Sequence, residues 1–288
     1  MKALAFGEIL WDVYPEKKYI GGASLNFAAH LAIHGNEVYL LSALGDDALG
    51  KEALYEVEKF GCKTDYISIL PSKPTGTCQV TLKNGIPSYD LLNGVAYDYI
   101  NTDGIYGDFD LLYFGTLAIR GDYNLTSLKK LIDNNSFKEI FVDVNIRPPF
   151  YSDKTVKFAF ENASIIKVSL EELPMVIDSL ALPSPSDYKE TAKFLIERYK
   201  NLGCIVITLG EMGAYALSRE KNSEHHTDAT PVAVASTVGA GDSFSAAFLH
   251  RYASDGIDTA LRYAARVAAF VVSQYDAVPD YDPQDLLS

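Results

Sequence analysis

The chain has 288 residues, 48% of them hydrophobic and 22% charged, which is ordinary globular composition with enough length to bury a sizeable core. A formal net charge of −13 and a pI near 4.8 argue against nucleic acid and anionic membranes as partners. No apolar run approaches the length of a membrane span, and Glu8 and Asp12 interrupt the N-terminal run, so a signal peptide is not expected either.

In chain order, apolar runs predict strands over 2–6, 38–43, 111–114, 140–144, 165–168 and 205–209. Helical patterns lie between and after them, over 24–34, 50–60, 124–134, 155–162, 188–201, 242–254 and 258–273. Strand–helix alternation with near-continuous apolar strands predicts an α/β fold with a mostly parallel sheet covered on both faces. One stretch breaks the pattern. Residues 64–70, 77–82 and 88–92 read as strands with no helix between them, and Asn84-Gly85 is a hairpin signal. They predict a small antiparallel sheet apart from the main one, and Tyr89, Tyr97, Tyr99 and Tyr106 nearby suit an interface. The cysteines Cys62, Cys78 and Cys204 are scattered, without metal-binding spacing, and read as reduced core thiols of a cytoplasmic protein.

Two glycine-rich segments carry the chemistry. In Ser236-Thr237-Val238-Gly239-Ala240-Gly241-Asp242-Ser243-Phe244 a strand is expected to pass into a helix through two glycines, with an aspartate next. A helix N-terminus offers unpaired backbone N–H groups, and glycines let an anion approach them closely. A carboxylate at the same turn can take a proton from an attacking hydroxyl. Near the other end, Ile20-Gly21-Gly22-Ala23-Ser24-Leu25-Asn26 again sets paired glycines before a helix. Asp12 is expected near the C-terminal edge of the first strand, where open α/β sheets bind ligands. Asp12 and Asn26 offer acceptors and donors suited to neighbouring hydroxyls.

These two segments resemble the ribokinase-like (PfkB) carbohydrate kinases, and four further motifs follow in the family's order across the chain: Leu44–Gly50, Asp143–Pro149, Lys167–Glu172 and Thr208–Gly213. The resemblance implies one ribokinase-like domain over 1–288, with lid segments at about 12–20 and 63–93. It implies transfer of a phosphoryl group from ATP, with Mg²⁺, to a sugar hydroxyl. Asp242 would be the base, and the backbone of Gly239, Ala240 and Gly241 the anion hole. Asp12, Gly21, Gly22, Asn26, Asn145 and Arg147 would bind the sugar. Lys167, Ser169, Thr208, Gly210, Gly213 and Ala265 would line the nucleotide, and Glu172 would order Mg²⁺ through water. A homodimer through the lid is also implied.

Three positions depart from the family pattern. Ser236 replaces an Asp that helps bind a monovalent cation, which puts K⁺ activation in doubt. Ser169 replaces an Asn, and Asp276 a Gly near the nucleotide. The form Asn145-Ile146-Arg147-Pro148-Pro149-Phe150 is similar to that of fructokinases, so fructose is the expected substrate. A sugar phosphate would need cations at the far end of the pocket, for which Lys17, Lys18 and Arg120 are candidates. Another neutral sugar, a keto-deoxy sugar acid, or a non-catalytic sugar or nucleotide sensor are the alternatives.

Overall fold

The structure is a computed structural model, and it describes residues 1–83, 86–183 and 185–287. Its strands are β1 (Lys2–Phe6), β2 (Leu10–Val13), β3 (Lys18–Gly21), β4 (Glu37–Gly45), β5 (Lys63–Leu70), β6 (Gly76–Lys83), β7 (Ile86–Leu91), β8 (Asp108–Gly115), β9 (Ser136–Asp143), β10 (Ile165–Ser169), β11 (Cys204–Thr208), β12 (Ala214–Ser218) and β13 (Ser223–Thr227). The helices are α1 (Ala23–Ile33), α2 (Ala48–Lys59), α3 (Asp122–Asn134), α4 (Asp153–Asn162), α5 (Leu173–Ser179), α6 (Tyr188–Arg198), α7 (Ala240–Asp255) and α8 (Ile257–Val272).

Among the described residues the main sheet has nine strands in the order β13-β12-β11-β10-β9-β8-β1-β4-β5. Neighbours from β11 to β5 are parallel, and β12 and β13 close one edge antiparallel. Successive residues of a strand face opposite sides, and β1 divides the core accordingly. Leu4 and Phe6 join the cluster packed by α3, α4, α5 and α6, whereas Ala3 and Ala5 join the one packed by α1, α2, α7 and α8. The central strands β1, β4, β8, β10 and β11 are buried on both faces over most of their length and are correspondingly apolar.

The smaller sheet runs β3-β2-β6-β7. Two antiparallel hairpins, β2–β3 and β6–β7, meet along a parallel β2–β6 pair. It is fastened to α2: Trp11 Nε1 donates to the Leu49 carbonyl at 3.0 Å, and Lys18 pairs with Glu52.

Several expectations need correction. The strand expected at 64–70 in the smaller sheet is β5, which joins the main sheet edge parallel to β4. Helix α2 supplies the crossover that such parallel pairing needs, so the smaller sheet draws from β6 and β7 rather than from all of 63–93. Asn84-Gly85 lies outside the described residues. Asp12 is in β2, paired with Tyr19 and Cys78, not at the end of β1. Residues 228–236, expected to hold a strand before the second glycine turn, have no regular structure; Pro231 interrupts them, and Val232 and Val234 are exposed. Tyr97 is fully buried rather than part of an interface, while Tyr106 is exposed.

Caps place the helix starts earlier than apolar periodicity alone. Asp47 accepts from Gly50 N at 2.7 Å to start α2, and Ser152 accepts from Thr155 N to start α4. Asp47 also accepts from Thr75 N and Oγ1 at 2.8 and 2.7 Å. The Leu44–Gly50 motif thus ties α2 to the start of β6.

Phe27 on α1 stacks on Tyr113 of β8 with centroids 3.9 Å apart, and both are fully buried. Replacing Phe27 with Ala is expected to lower unfolding free energy by about 3–5 kcal/mol, measured by urea denaturation.

Candidate active site

The C-terminal ends of the parallel strands share one edge, and both glycine turns lie along it. Gly22 starts α1 with φ 111°, and a β-carbon there would meet the Glu8 carbonyl at 2.5 Å. A carboxylate from outside the helix caps α1: Glu8 Oε1 accepts from Ala23 N at 2.9 Å. At the second turn Gly239 is left-handed (φ 81°), and a β-carbon would lie 2.5 Å from the Ala277 carbonyl. Ala240 N reaches the Thr237 carbonyl at 3.4 Å. The next amides, of Gly241 and Asp242, are first-turn donors that the helix itself does not satisfy.

The two turns come from opposite ends of the chain and meet at one hydrogen bond. Asn26 Nδ2 donates to Asp242 Oδ2 at 2.8 Å. Asp242 is buried, and burial together with the nearby Asp143 carboxylate raises its pKa to about 7, against the Asn26 bond and the charges of Lys167 and Arg147. Beneath the turn, Lys167 Nζ donates to both Asp143 oxygens at 2.8 Å. A β-carbon at Gly241 would lie 3.3 Å from that Nζ, so this cation supports the turn from below. Burial alone would lower the Lys167 pKa, but Asp143, Glu172 and Asp242 hold it above its ordinary value. Ser245 Oγ, one turn into α7, donates to Asp143 Oδ2 at 3.2 Å.

Asp12 and Asn26 line a cleft of about 530 Å³ between the smaller sheet, α2 and the segments around 236 and 276. Gly21 also lines it, where a β-carbon would lie 3.0 Å from Asp12 Oδ2. Burial raises the Asp12 pKa, while a hydrogen bond from Cys78 and the Arg147 charge oppose that rise. Arg147 is exposed, and its charge acts on Glu8, Asp12 and Asp242. Asn145 is half-buried in the left-handed region, φ 43°. The candidate far-end cations differ in their commitments. Arg120 grips Asp98 through Nε and Nη2 at 2.8 and 2.9 Å, and Lys18 is paired with Glu52. Lys17 lines the cleft.

The nucleotide candidates follow the same edge. Ser169 ends β10 beside Thr208 at the end of β11. Gly210 begins a short 3₁₀ turn that Gly213 closes, and Ala265 is half-buried on α8. Lys167 is not with this group but under the glycine turn. Glu172 accepts from Ile146 N at 2.5 Å and from Ser169 N at 2.7 Å, so both oxygens hold backbone. Among the described residues no group of three or more His, Cys, Asp or Glu side chains could enclose a metal ion. Ser236 and Asp276 both line the cleft, and Ser236 Oγ accepts from Val238 N at 3.2 Å.

Among the described residues no helix is long and apolar enough to cross a membrane. The family model for the pfkB family carbohydrate kinases matches residues 7–283. The chain belongs to that family. This PfkB sugar kinase is 27% identical over 283 residues to a fructokinase of Rhizobium leguminosarum bv. trifolii, covering 91% of this chain and 83% of that one. It is 24% identical over 278 residues to a ribokinase of Dictyostelium discoideum, covering 91% and 86%. The solved fructokinase of Xylella fastidiosa with bound ATP superposes with TM-score 0.85 at 19% identity, over 99% of this chain and 98% of that chain.

Sequence reasoning missed the work of Glu8, Asp143 and Ser245. Asp143 stood inside a quoted motif, but its tie to Lys167 needs the parallel β9–β10 register, which sets the two residues opposite each other. Glu8 carried no local signal, because the helix it caps begins fifteen residues later.

The raised Asp242 pKa has a stability consequence. Folded Asp242 keeps its proton up to about pH 7, whereas the unfolded carboxyl releases it near 3.8. Rising pH through that window therefore favours unfolding. Asp242→Asn removes the term, so the variant should gain stability over the parent progressively between pH 4 and 7 in urea titrations. A pH-independent difference would contradict the buried, raised carboxyl.

Proposed function

We propose that this PfkB sugar kinase transfers the γ-phosphoryl group of ATP to a hydroxyl of fructose, with Asp242 as the general base. The observation that carries the reading is the buried Asp242 carboxylate, in the first turn of α7 and bonded to Asn26 from the other glycine turn. A pKa near 7 matches the base to neutral working pH. The sugar oxygen attacks the γ-phosphorus, the bond from that phosphorus to the bridging oxygen breaks, ADP departs, and the hydroxyl proton passes to Asp242. In this reading the amides of Gly239, Ala240 and Gly241 face the charge that grows on the phosphoryl oxygens, the Ala240 N–H giving up its long 3.4 Å contact with the Thr237 carbonyl, with the helix end and Lys167 behind them. On sugar entry, the Asn26 bond to Asp242 gives way to a bond with a sugar hydroxyl.

Asp12, Gly21, Gly22, Asn26, Asn145 and Arg147 form the sugar side of this reading. Ser169, Thr208, Gly210, Gly213 and Ala265 form the nucleotide side, and Lys167 acts from below the turn. The first-turn amides of Gly241 and Asp242, which α7 itself leaves unpaired, fit a phosphate chain. The donor set does not fit direct Mg²⁺ coordination, but it fits a hydrated ion carried in on the nucleotide, with Glu172 as the nearby carboxylate. When bound, Mg²⁺ neutralises charge on the nucleotide phosphates.

The smaller sheet, fastened to α2 beside the cleft, acts in this reading as a lid that excludes water from the phosphoryl group, and as the contact between two copies. An uncharged sugar is favoured because Arg120 and Lys18 are already committed to Asp98 and Glu52. The Rhizobium fructokinase and the Asn145–Phe150 segment support fructose; the ribokinase relative makes other neutral sugars the nearest competitors.

ADP release from Mg-ATP should be assayed across neutral sugars, sugar phosphates and sugar acids. Fructose should give the highest kcat/KM, and a preference for a sugar phosphate or acid would overturn the substrate reading. Ligand-dependent stabilisation without ADP from any sugar would instead indicate a sensor. Asp242→Asn should cut turnover by about 10² or more while ATP still binds, and near-normal turnover would refute the base. Asp12→Ala should weaken sugar binding far more than ATP binding, and equal losses would remove Asp12 from the sugar side.

A further inference from the structure

We propose that His30 is a positioning residue for the phosphoryl site, fastening the segment 275–281 against the Gly239 turn. Asn26, His30 and His34 are spaced four residues apart on α1, so they share one helix face. All three are buried. Asn26 reaches Asp242, and His30, one turn on, reaches the segment behind the glycine turn. His30 Nε2 is 2.9 Å from the Ala277 carbonyl, and Nδ1 is 3.0 Å from Tyr281 Oη. A carbonyl oxygen only accepts, so Nε2 carries the proton and donates, and Nδ1 accepts from the tyrosine hydroxyl.

Ala277 is the residue on which the second glycine turn rests. A β-carbon at Gly239 would lie 2.5 Å from its carbonyl oxygen and 2.9 Å from its Cα. Residues 275–281 have no regular structure, so side-chain bonds and packing must hold them. His30 supplies bonds at both Ala277 and Tyr281. Tyr281 is braced further by the rings of Phe270 and His34, with centroids at 5.4 and 6.0 Å. His34 continues the row: Nδ1 donates to the His30 carbonyl at 2.6 Å, and Nε2 accepts from Tyr263 on α8 at 2.9 Å. One helix face therefore fixes the base through Asn26 and the wall behind the anion turn through His30. Burial lowers the His30 pKa to about 4, so the ring stays neutral through ordinary working pH and the tautomer persists.

The inference rests on the phosphoryl-transfer reading, but its test does not need the sugar to be correct. Three variants separate positioning from core filling. His30→Gln keeps an N–H near the Nε2 position, His30→Asn keeps a polar group only near Nδ1, and His30→Leu keeps bulk alone. Calorimetric binding of a Mg²⁺-bound, non-hydrolysable ATP analogue is measured for each folded variant. Turnover and both KM values are measured with the best sugar from the panel. His30→Leu and His30→Asn should weaken analogue binding or cut kcat by about tenfold or more, with the sugar KM changed by less than about threefold. His30→Gln should recover to within about threefold of the parent. If His30→Leu does not fold, the contrast between Gln and Asn decides. Parental binding and kcat in the Asn variant, equal loss in the Gln variant, or equal losses of sugar and nucleotide affinity would each overturn the proposal. Should no sugar be phosphorylated, analogue binding alone still tests His30.

Discussion

A carboxylate removed from water at a helix N-terminus is the constraint around which this molecule is arranged. Burial and the neighbouring Asp143 drive Asp242 towards its protonated form. The cation of Lys167, the Asn26 amide and the dipole of α7 pull the other way. Neither side wins outright, and the result is an acid that titrates near neutrality. Lys167 serves both arms of this balance. It neutralises Asp143, and from beneath Gly241 it contributes positive charge to the turn. Either carboxylate buried without it would carry an uncompensated charge, which is far costlier than the pair.

The fold delivers these groups by simple means. Parallel strands put Asp143, Ser169 and Thr208 on one edge of the sheet, since all end there in matching register. The first and second glycine turns lie more than two hundred residues apart in the chain, yet α1 and α7 pack on the same face of the sheet. The Asn26–Asp242 bond is what remains when those two helix starts abut. The smaller sheet is joined to the main body through α2, by an indole donor and an ion pair. Trp11 is also buried in the core formed with α1 and α2, and Val13 and Ile20 pack against it, so the smaller sheet is held by shared apolar packing as well as by those polar contacts.

Much of this was legible in the residues. The apolar runs were long and continuous enough to give most of the parallel strands, and the expected helices were found to within a few residues, but the short helix α5 and the antiparallel edge strands β12 and β13 were not anticipated. The glycine turns were visible because only a few residue types tolerate the backbone at Gly22 and Gly239. What failed did so for identifiable reasons. Strand β5 alternates in exposure like a two-sided hairpin strand, so its pattern did not distinguish an edge of the main sheet from the smaller sheet. The run before Ser236 is apolar yet exposed, because Pro231 and the approach to the turn keep it out of any sheet. Glu8, Asp143 and His30 act on partners far along the chain, and such ties exist only once register and packing are known. Glu172 carried a metal-associated motif, and the structure finds both its oxygens tying two loops together.

The account stands or falls on the protonation state of one buried side chain. Carbon-13 NMR titration of the Asp242 carboxyl in the ligand-free protein, assigned by its loss in Asp242→Asn, reads that state directly. A midpoint near 7 would support a desolvated base poised beside the amide turn. A midpoint near 4 would mean a solvated carboxylate and would contradict the arrangement described for Asn26, Asp143 and Lys167.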